Sequence, residues 1–278
     1  MTFTRRLFTL ASAAALAAAL AVPASAQEAT QALSSESVIE KIKRDGVLQV
    51  GLSLFVPWSM RDVDGELMGF ELDVGRKLAE DMGVDVEFVP TAWDGIIPAL
   101  LAGKFDVIIS GMSITPARNL TVNFSHPYAY SGVTILANTA LTEGFTLEDY
   151  NSPDVTFAAR RGATPATVIA QLFPEAELLL FDEDGAATQE VLNGNAHATM
   201  DSEPGPSTAA RTYPDVLGIP FDQTFLATGE GFAYRKGDPD ATNFFNNWID
   251  VNWRNGFLDE RNAYWFKGDE WASRAAVE

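Results

Sequence analysis

The sequence predicts an α/β fold in two lobes, and three features carry the prediction. The first is residues 103–118, GKFDVIISGMSITPAR. Phe105, Val107, Ile108 and Ile109 form the apolar run of a strand buried on both faces, as in a parallel sheet covered by helices. Ser110 to Ser113 make a loop of small residues, and Thr115-Pro116 reads as a helix start, a hydroxyl cap with proline at the first helical position. The second feature is an echo of this pattern. Val155 to Ala159 is strand-like, Arg160-Arg161-Gly162 is a glycine loop, and the tripeptide Thr164-Pro165-Ala166 repeats Thr115-Pro116-Ala117. The third is the alternation of strand-like and helix-like segments around both loops, the order that builds a helix-covered sheet. Two strand–loop–helix units of this kind predict two lobes, each offering a helix end to a shared ligand.

The chemistry of the first unit favours an anion. A strand that runs through a loop into a helix N-terminus presents unpaired backbone N–H groups and a positive dipole end. Arg118, in the first turn, adds a planar fork suited to a carboxylate. The plain alternative is a surface arginine on an ordinary turn, and the echo at 160–166 weighs against it.

The elements follow in order. Met1 to Ala26 carries Arg5-Arg6, an Ala- and Leu-rich run from Leu10 to Val22, and Ala24-Ser25-Ala26 before Gln27. This is an export signal with its cleavage site, of either the general secretory or the twin-arginine type. Val47 to Gly51 is a strand. In the segment that follows, Phe55, Pro57 and Trp58 are either core residues or an apolar wall for a ligand. Asp64-Gly65 reads as a hairpin turn. Phe70, Val74, Leu78 and Met82 recur at helical spacing with Gly83 at the stop. Val84 to Val89 is a strand, and Trp93-Asp94-Gly95 opens a helix with Asp94 as its cap. Trp93 thus lies at a strand-to-helix junction, where open α/β sheets bind ligands.

Beyond Arg118, Phe124 to Tyr130 reads as an aromatic loop, Val133 to Ala137 as a strand, and Thr142 to Tyr150 as a linker with a short helix. A second block has strands over Val155–Ala159, Leu178–Phe181 and Ala196–Met200, with helices over Thr164–Phe173, Gly185–Leu192 and Ser207–Tyr213. Asp201, Ser202 and Glu203 fall just past its third strand, where an acid either caps the next helix or accepts a ligand ammonium. Gly231 to Asp238 is a strand and turn, and Ala241 to Trp253 is a helix ended by Asn255-Gly256. Leu258 to Phe266 is a last helix whose Tyr264, Trp265 and Phe266 belong to the core, and the rest of the tail is expected to fray.

Composition excludes several function classes. The chain has 19 Lys and Arg against 38 Asp and Glu. Without Arg5 and Arg6, seventeen basic residues face all 38 acidic ones, a formal −21, which opposes nucleic acid or an anionic membrane as partner. There is no cysteine and there are two histidines. A disulfide framework, a thiolate metal site and a lipid anchor are therefore excluded, and a catalytic zinc or a Ser/His triad is disfavoured. No cofactor is expected.

Five stretches together resemble the family 3 solute-binding proteins of ABC importers for polar amino acids: Gly69–Asp73, Pro90–Leu100, Gly103–Arg118, Asn123–Tyr128 and Arg235–Pro239. The resemblance implies a type II periplasmic-binding-protein fold, two Rossmann-like lobes on two hinge strands. It sets lobe 1 at 27–136 with 228–278 and lobe 2 at 137–227. It implies a periplasmic, monomeric protein that hands an amino acid to an inner-membrane ABC permease. By this resemblance Arg118 grips the α-carboxylate, with Ser110, Gly111, Ser113 and Thr164 beside it. Phe55 and Trp93 sandwich the side chain, and Asp201 is the candidate for the ammonium, although the family's Asp-x-Pro pattern would select Ser202, one residue on. Two departures bear on specificity. The loop Leu52-Ser53-Leu54 lacks the acidic residue of many relatives, and Arg160 puts a second cation beside the cleft, so a polar or acidic amino acid or related anionic zwitterion is expected. The resemblance extends to periplasmic cyclohexadienyl dehydratases, which act on prephenate or arogenate. In that reading Glu203 is the proton donor.

Overall fold

The computed structural model of the chain describes residues 36–183 and 185–276, so the export signal expected over 1–26 lies outside the described residues. The fold is the two-lobed α/β type. In chain order the first part holds α1 (Val38–Asp45), β1 (Val47–Leu52), the hairpin of β2 (Met60–Arg61) and β3 (Leu67–Met68), α2 (Phe70–Met82) and β4 (Asp85–Pro90). A 3-10 turn at Trp93–Gly95 leads into α3 (Ile96–Leu101), β5 (Val107–Ile108) and α4 (Pro116–Asn119), after which the long β6 runs from Asn123 to Asn138. The second part holds β7 (Thr156–Arg160), α5 (Thr164–Leu172), β8 (Glu177–Phe181), α6 (Ala186–Leu192), β9 (Ala198–Ser202), α7 (Gly205–Thr212) and β10 (Leu217–Gly218). Strand β11 (Leu226–Tyr234) then returns to the first part, which α8 (Pro239–Arg254) and α9 (Phe257–Asn262) complete.

The strand order β4-β1-β5-β11-β6-β9-β7-β8 shows how the lobes join. In the first lobe β1 pairs in parallel with β4 and β5; in the second β7 pairs in parallel with β8 and β9. Between them β6 and β11 run antiparallel. Strand β6 pairs with β11 from Asn123 to Val133 and with β9 from Val133 to Ala137, so it passes out of one lobe and into the other. Each lobe packs apolar residues on both sheet faces. Val107 and Ile109 join one cluster with Val50, Phe70 and Phe232, while Phe105 and Ile108 join another with Ile96 and Leu100. In the second lobe Phe157 and Ala159 face Val168 and Ile169, while Ala158 faces Val191 and Ala196.

Much of the expected element order holds. The helix over 70–82 ends on Gly83 in the left-handed region, and Asp64-Gly65 turns the β2–β3 hairpin with Gly65 at φ 85°. The differences have local reasons. The expected aromatic loop at Phe124–Tyr130 is the first half of β6. Pro127 lacks a donor, but it stands opposite Gly231, where the β11 ladder shifts register and no N–H is required. Its partner begins at Leu226 rather than Gly231, because Gly229 and Gly231 mask the strand. Only Val107–Ile108 of the buried run at 105–109 forms ladder. The tail does not fray within the described residues: Trp271 is buried, and the Ala276 N–H donates to the Arg61 carbonyl.

Candidate functional site

The carboxyl end of β5 runs through Ser110–Ser113 into a helix of one turn, α4, whose cap is as expected: Thr115 Oγ1 accepts from the Arg118 N–H at 3.2 Å, with Pro116 at the first helical position. One turn sums little dipole, so the positive charge here is the Arg118 guanidinium itself. Its Nη1 donates to the Ser113 carbonyl at 3.0 Å, and its Nη2 donates to the Gly162 carbonyl at 3.2 Å, in the second lobe. Burial pulls the Arg118 guanidinium down to about 10, which leaves it charged at neutral pH.

Arg160, the last residue of β7, makes the reciprocal crossing. Its Nη1 donates to the Leu54 carbonyl at 3.1 Å and its Nη2 to Ser53 Oγ at 2.7 Å, both in the first lobe. The two guanidinium carbons lie 5.3 Å (Arg118) and 5.7 Å (Arg160) from the Trp93 ring centre. Two cations from opposite lobes thus share one indole, an arrangement that attracts negative charge. A Cβ added at Gly162 would stand 3.9 Å from Trp93, and one at Gly205 would stand 3.7 Å from Phe55, so the two first-lobe aromatics face second-lobe backbone.

Asp201 is in β9 rather than past it, opposite Thr134 of β6. Its Oδ1 accepts from the Ser202 N–H at 2.7 Å. Burial raises the Asp201 carboxyl to about 6; the Ser202 N–H and Arg160 hold it down, and Glu203 pushes it up. Glu203 accepts through Oε1 from the Thr134 hydroxyl at 2.7 Å and through Oε2 from the Ser207 N–H at 3.4 Å. Thr164 is the first residue of α5, whose cap is Ala163, so the echo of Thr115 in the sequence does not extend to a hydroxyl cap. Asp94 likewise lies inside the 3-10 turn, and Ala92 stands at the cap position.

Arg118, Arg160 and Trp93 are brought together, with Asp201 close to Arg160. Other expected site residues face elsewhere. Trp58 is 0 % exposed and packs on Phe70 and Phe266 at ring distances of 5.8 and 4.5 Å, behind Phe55, so it is a core residue. The Gly111 N–H is used within the protein, donating to Glu71 Oε1 and to the Tyr128 hydroxyl. Ser110 Oγ accepts from the Ser53 N–H at 2.8 Å, and Ser113 is buried in a bridge to Glu230. These contacts turn Ser110, Gly111 and Ser113 toward the protein.

Sequence reasoning missed Ser53, Glu71 and Glu230. Glu71 looks like an ordinary acid in a helix's first turn, yet it is 0 % exposed. Its nearness to the apolar stripe at 70, 74 and 78 was the available signal. Burial drives its carboxyl up to about 8 against the bonds from Tyr128 and Gly111 that favour its charge.

Comparison with known proteins adds the following. The family model for bacterial extracellular solute-binding proteins, family 3, matches residues 48–268. The L-cystine-binding protein TcyJ of Escherichia coli K12 is 28 % identical over 258 residues, 92 % of this chain and 96 % of that protein. Two solved structures are similar. One is the ancestral amino acid-binding protein AncCDT-1, a precursor of cyclohexadienyl dehydratase, at 39 % identity and TM-score 0.75 over 83 % of this chain and 100 % of that one. The other is a putative binding component of an ABC transporter from Wolinella succinogenes in complex with lysine, at 35 % identity and TM-score 0.78 over 82 % and 99 %.

Proposed function

The chain belongs to the bacterial extracellular solute-binding proteins of family 3, and from that premise we propose that it captures an amino acid carrying an extra anionic or strongly polar group and delivers it to an ABC importer. The observation that carries the ligand class is the convergence of Arg118 and Arg160 on Trp93 from opposite lobes. Arg118 takes the α-carboxylate with Thr164 beside it, Asp201 the ammonium, and Arg160 the side-chain anion. Phe55 and Trp93 form the apolar walls. In this reading a carboxylate takes guanidinium N–H donors alongside the bonds that already cross the cleft, in a stronger, charge-assisted bond. A ligand that touches both lobes stabilises the closed form by hinge bending at β6 and β11, a shift of population. The same reading makes the protein a periplasmic monomer that docks on an inner-membrane permease. Among the described residues, no helix is long and apolar enough to cross a membrane.

The similarity to a lysine complex makes cationic amino acids the natural competitors, and Arg160 is what disfavours them. The test is isothermal titration of refolded protein against L-glutamate, L-aspartate, L-glutamine, L-lysine, L-arginine, L-cystine and prephenate. Binding of an acidic zwitterion is expected, with Arg160→Ala weakening it roughly 10- to 100-fold, the worth of one charge-assisted bond. Unchanged affinity in Arg160→Ala, or a preference for L-lysine, refutes the anionic class.

A second reading rests on the likeness to the dehydratase precursor and on Glu203, two residues from Asp201. Glu203 is engaged by the Thr134 hydroxyl and the Ser207 N–H, which supports a role in bracing α7 over one in proton transfer. Prephenate turnover that disappears in Glu203→Gln reverses this order.

A further inference from the structure

We propose that Glu71 is a positioning residue of the cleft, fastening the loop Ser110–Ser113 to hinge strand β6. Glu71 stands in the first turn of α2, fully buried, and one of its oxygens serves both partners. Oε1 accepts from the Tyr128 hydroxyl at 2.7 Å and from the Gly111 N–H, which also lies 3.0 Å from Tyr128 Oη. Tyr128 is itself fully buried, in β6, and Gly111 turns the loop with φ 52°. The other side of the loop is tied to the second hinge strand by backbone alone. The Gly231 N–H donates to the Met112 carbonyl at 3.2 Å, and the Ile114 N–H donates to the Gly229 carbonyl at 2.9 Å.

The loop is therefore held between the two strands that cross from lobe to lobe. Those strands absorb the bend when the lobes move, and a loop fastened to both follows them. Arg118 follows the loop, because its guanidinium is fixed to the Ser113 carbonyl. Glu71 thus sets where Arg118 stands relative to the hinge without touching the cleft. The bonds need an acceptor oxygen at this place and not a negative charge. Oε2 accepts no hydrogen bond among the described residues, so an amide nitrogen in its place breaks none while the amide oxygen keeps both donors. The importance of this link for binding rests on the cleft being the ligand site proposed above; the link itself does not.

Amide hydrogen exchange on the purified full-length protein, without ligand, tests it. In Glu71→Ala, peptides covering residues 109–114 and 126–130 are expected to exchange at least tenfold faster, with those covering 156–172 unchanged. Glu71→Gln restores wild-type exchange. No acceleration at 109–114, acceleration spread evenly over the first lobe, or failure of Glu71→Gln to restore protection would each overturn the proposal. Should Glu71→Ala not fold, Tyr128→Phe removes one donor and keeps the ring. Several-fold faster exchange at 109–114 then supports the link, and unchanged exchange refutes it. Titration with L-glutamate separates the two ideas. A wild type that does not bind it counts against the proposed function, while the exchange result decides the role of Glu71 by itself.

Discussion

Asp201, half-buried, and Glu71, fully buried, are both carboxyls pushed upward, and their different surroundings make pH act on them in different ways. Asp201 stands near 6, close to Arg160, and its proposed work is to meet an ammonium as a charged group. Protons compete for that place, so affinity for L-glutamate is expected to hold above pH 7 and to fall up to tenfold per unit below about pH 6. Asp201→Asn keeps the acceptor for the Ser202 N–H, binds weakly throughout, and shows no such slope. Calorimetric titrations from pH 5 to 8 read this directly, and a wild-type slope retained in the variant assigns the proton elsewhere. Glu71 bears on stability. Its carboxyl is raised from 4.5 to about 8 in the folded chain, mainly by burial, with Glu230 adding to the rise and Tyr128 and Gly111 opposing it. The folded state therefore holds its proton more tightly than the unfolded one. The resulting stability is complete below about pH 4.5 and is lost as pH rises to about 8, on the order of 5 kcal/mol in all. Glu71→Gln has no proton to lose, so its urea midpoint is expected to gain on the wild type steadily from pH 5 to pH 8. A constant difference would place the Glu71 proton at an ordinary value.

Strand β1 shows how closely one element can bind the core to the cleft. Gly51 pairs with Val89 and Ile108, and a Cβ there would stand 2.3 Å from the Phe105 ring, well inside contact. Gly51→Ala must displace that buried ring, at a cost of about 1–3 kcal/mol. The next residues, Leu52 and Ser53, lead to the oxygens that receive Arg160, so a loss of ligand affinity is expected beside the lower melting temperature. A variant with wild-type melting and binding would mean that Phe105 has room to move. The elements legible in the sequence were those with local signals: the apolar stripe of α2 with its glycine stop, the Asp-Gly hairpin, and the Thr-Pro start of α4. What was hidden depended on partners far along the chain. The Phe124–Tyr130 stretch becomes strand only because Leu226–Tyr234 lies beside it, about a hundred residues later, and the glycines of that partner read as loop. The site divided in the same way. Arg118 and Trp93 were legible from the junctions they occupy. That Gly111 turns its N–H inward to Glu71 was not, because the bond joins a loop to a helix forty residues earlier.

At the scale of the molecule, the cleft is spanned by direct bonds from each lobe to the other: Arg118 to the Gly162 carbonyl, and Arg160 to Ser53 and the Leu54 carbonyl. They favour the closed form on their own account, so the proposed ligand adds to a population that already exists. Such pre-closure raises apparent affinity, because less of the binding energy goes into moving the lobes. Removing the two Arg160 bonds is worth on the order of 2 kcal/mol, about thirtyfold in the ratio of closed to open. The sequence has no cysteine, so a fluorophore pair can be placed cleanly on Lys104→Cys in the first lobe and Asp215→Cys in the second. Without added ligand, energy transfer in the otherwise wild-type protein is expected to lie near its glutamate-saturated value. Arg160→Ala is expected to shift transfer to an open value, and saturating L-glutamate to restore it only in part. If Arg160→Ala is as closed as its parent, these bonds do not set the resting angle, and closure must come from β6 and β11 themselves. Either result assigns the resting state to a named part of the molecule, the arginine contacts across the cleft or the strands that carry the hinge.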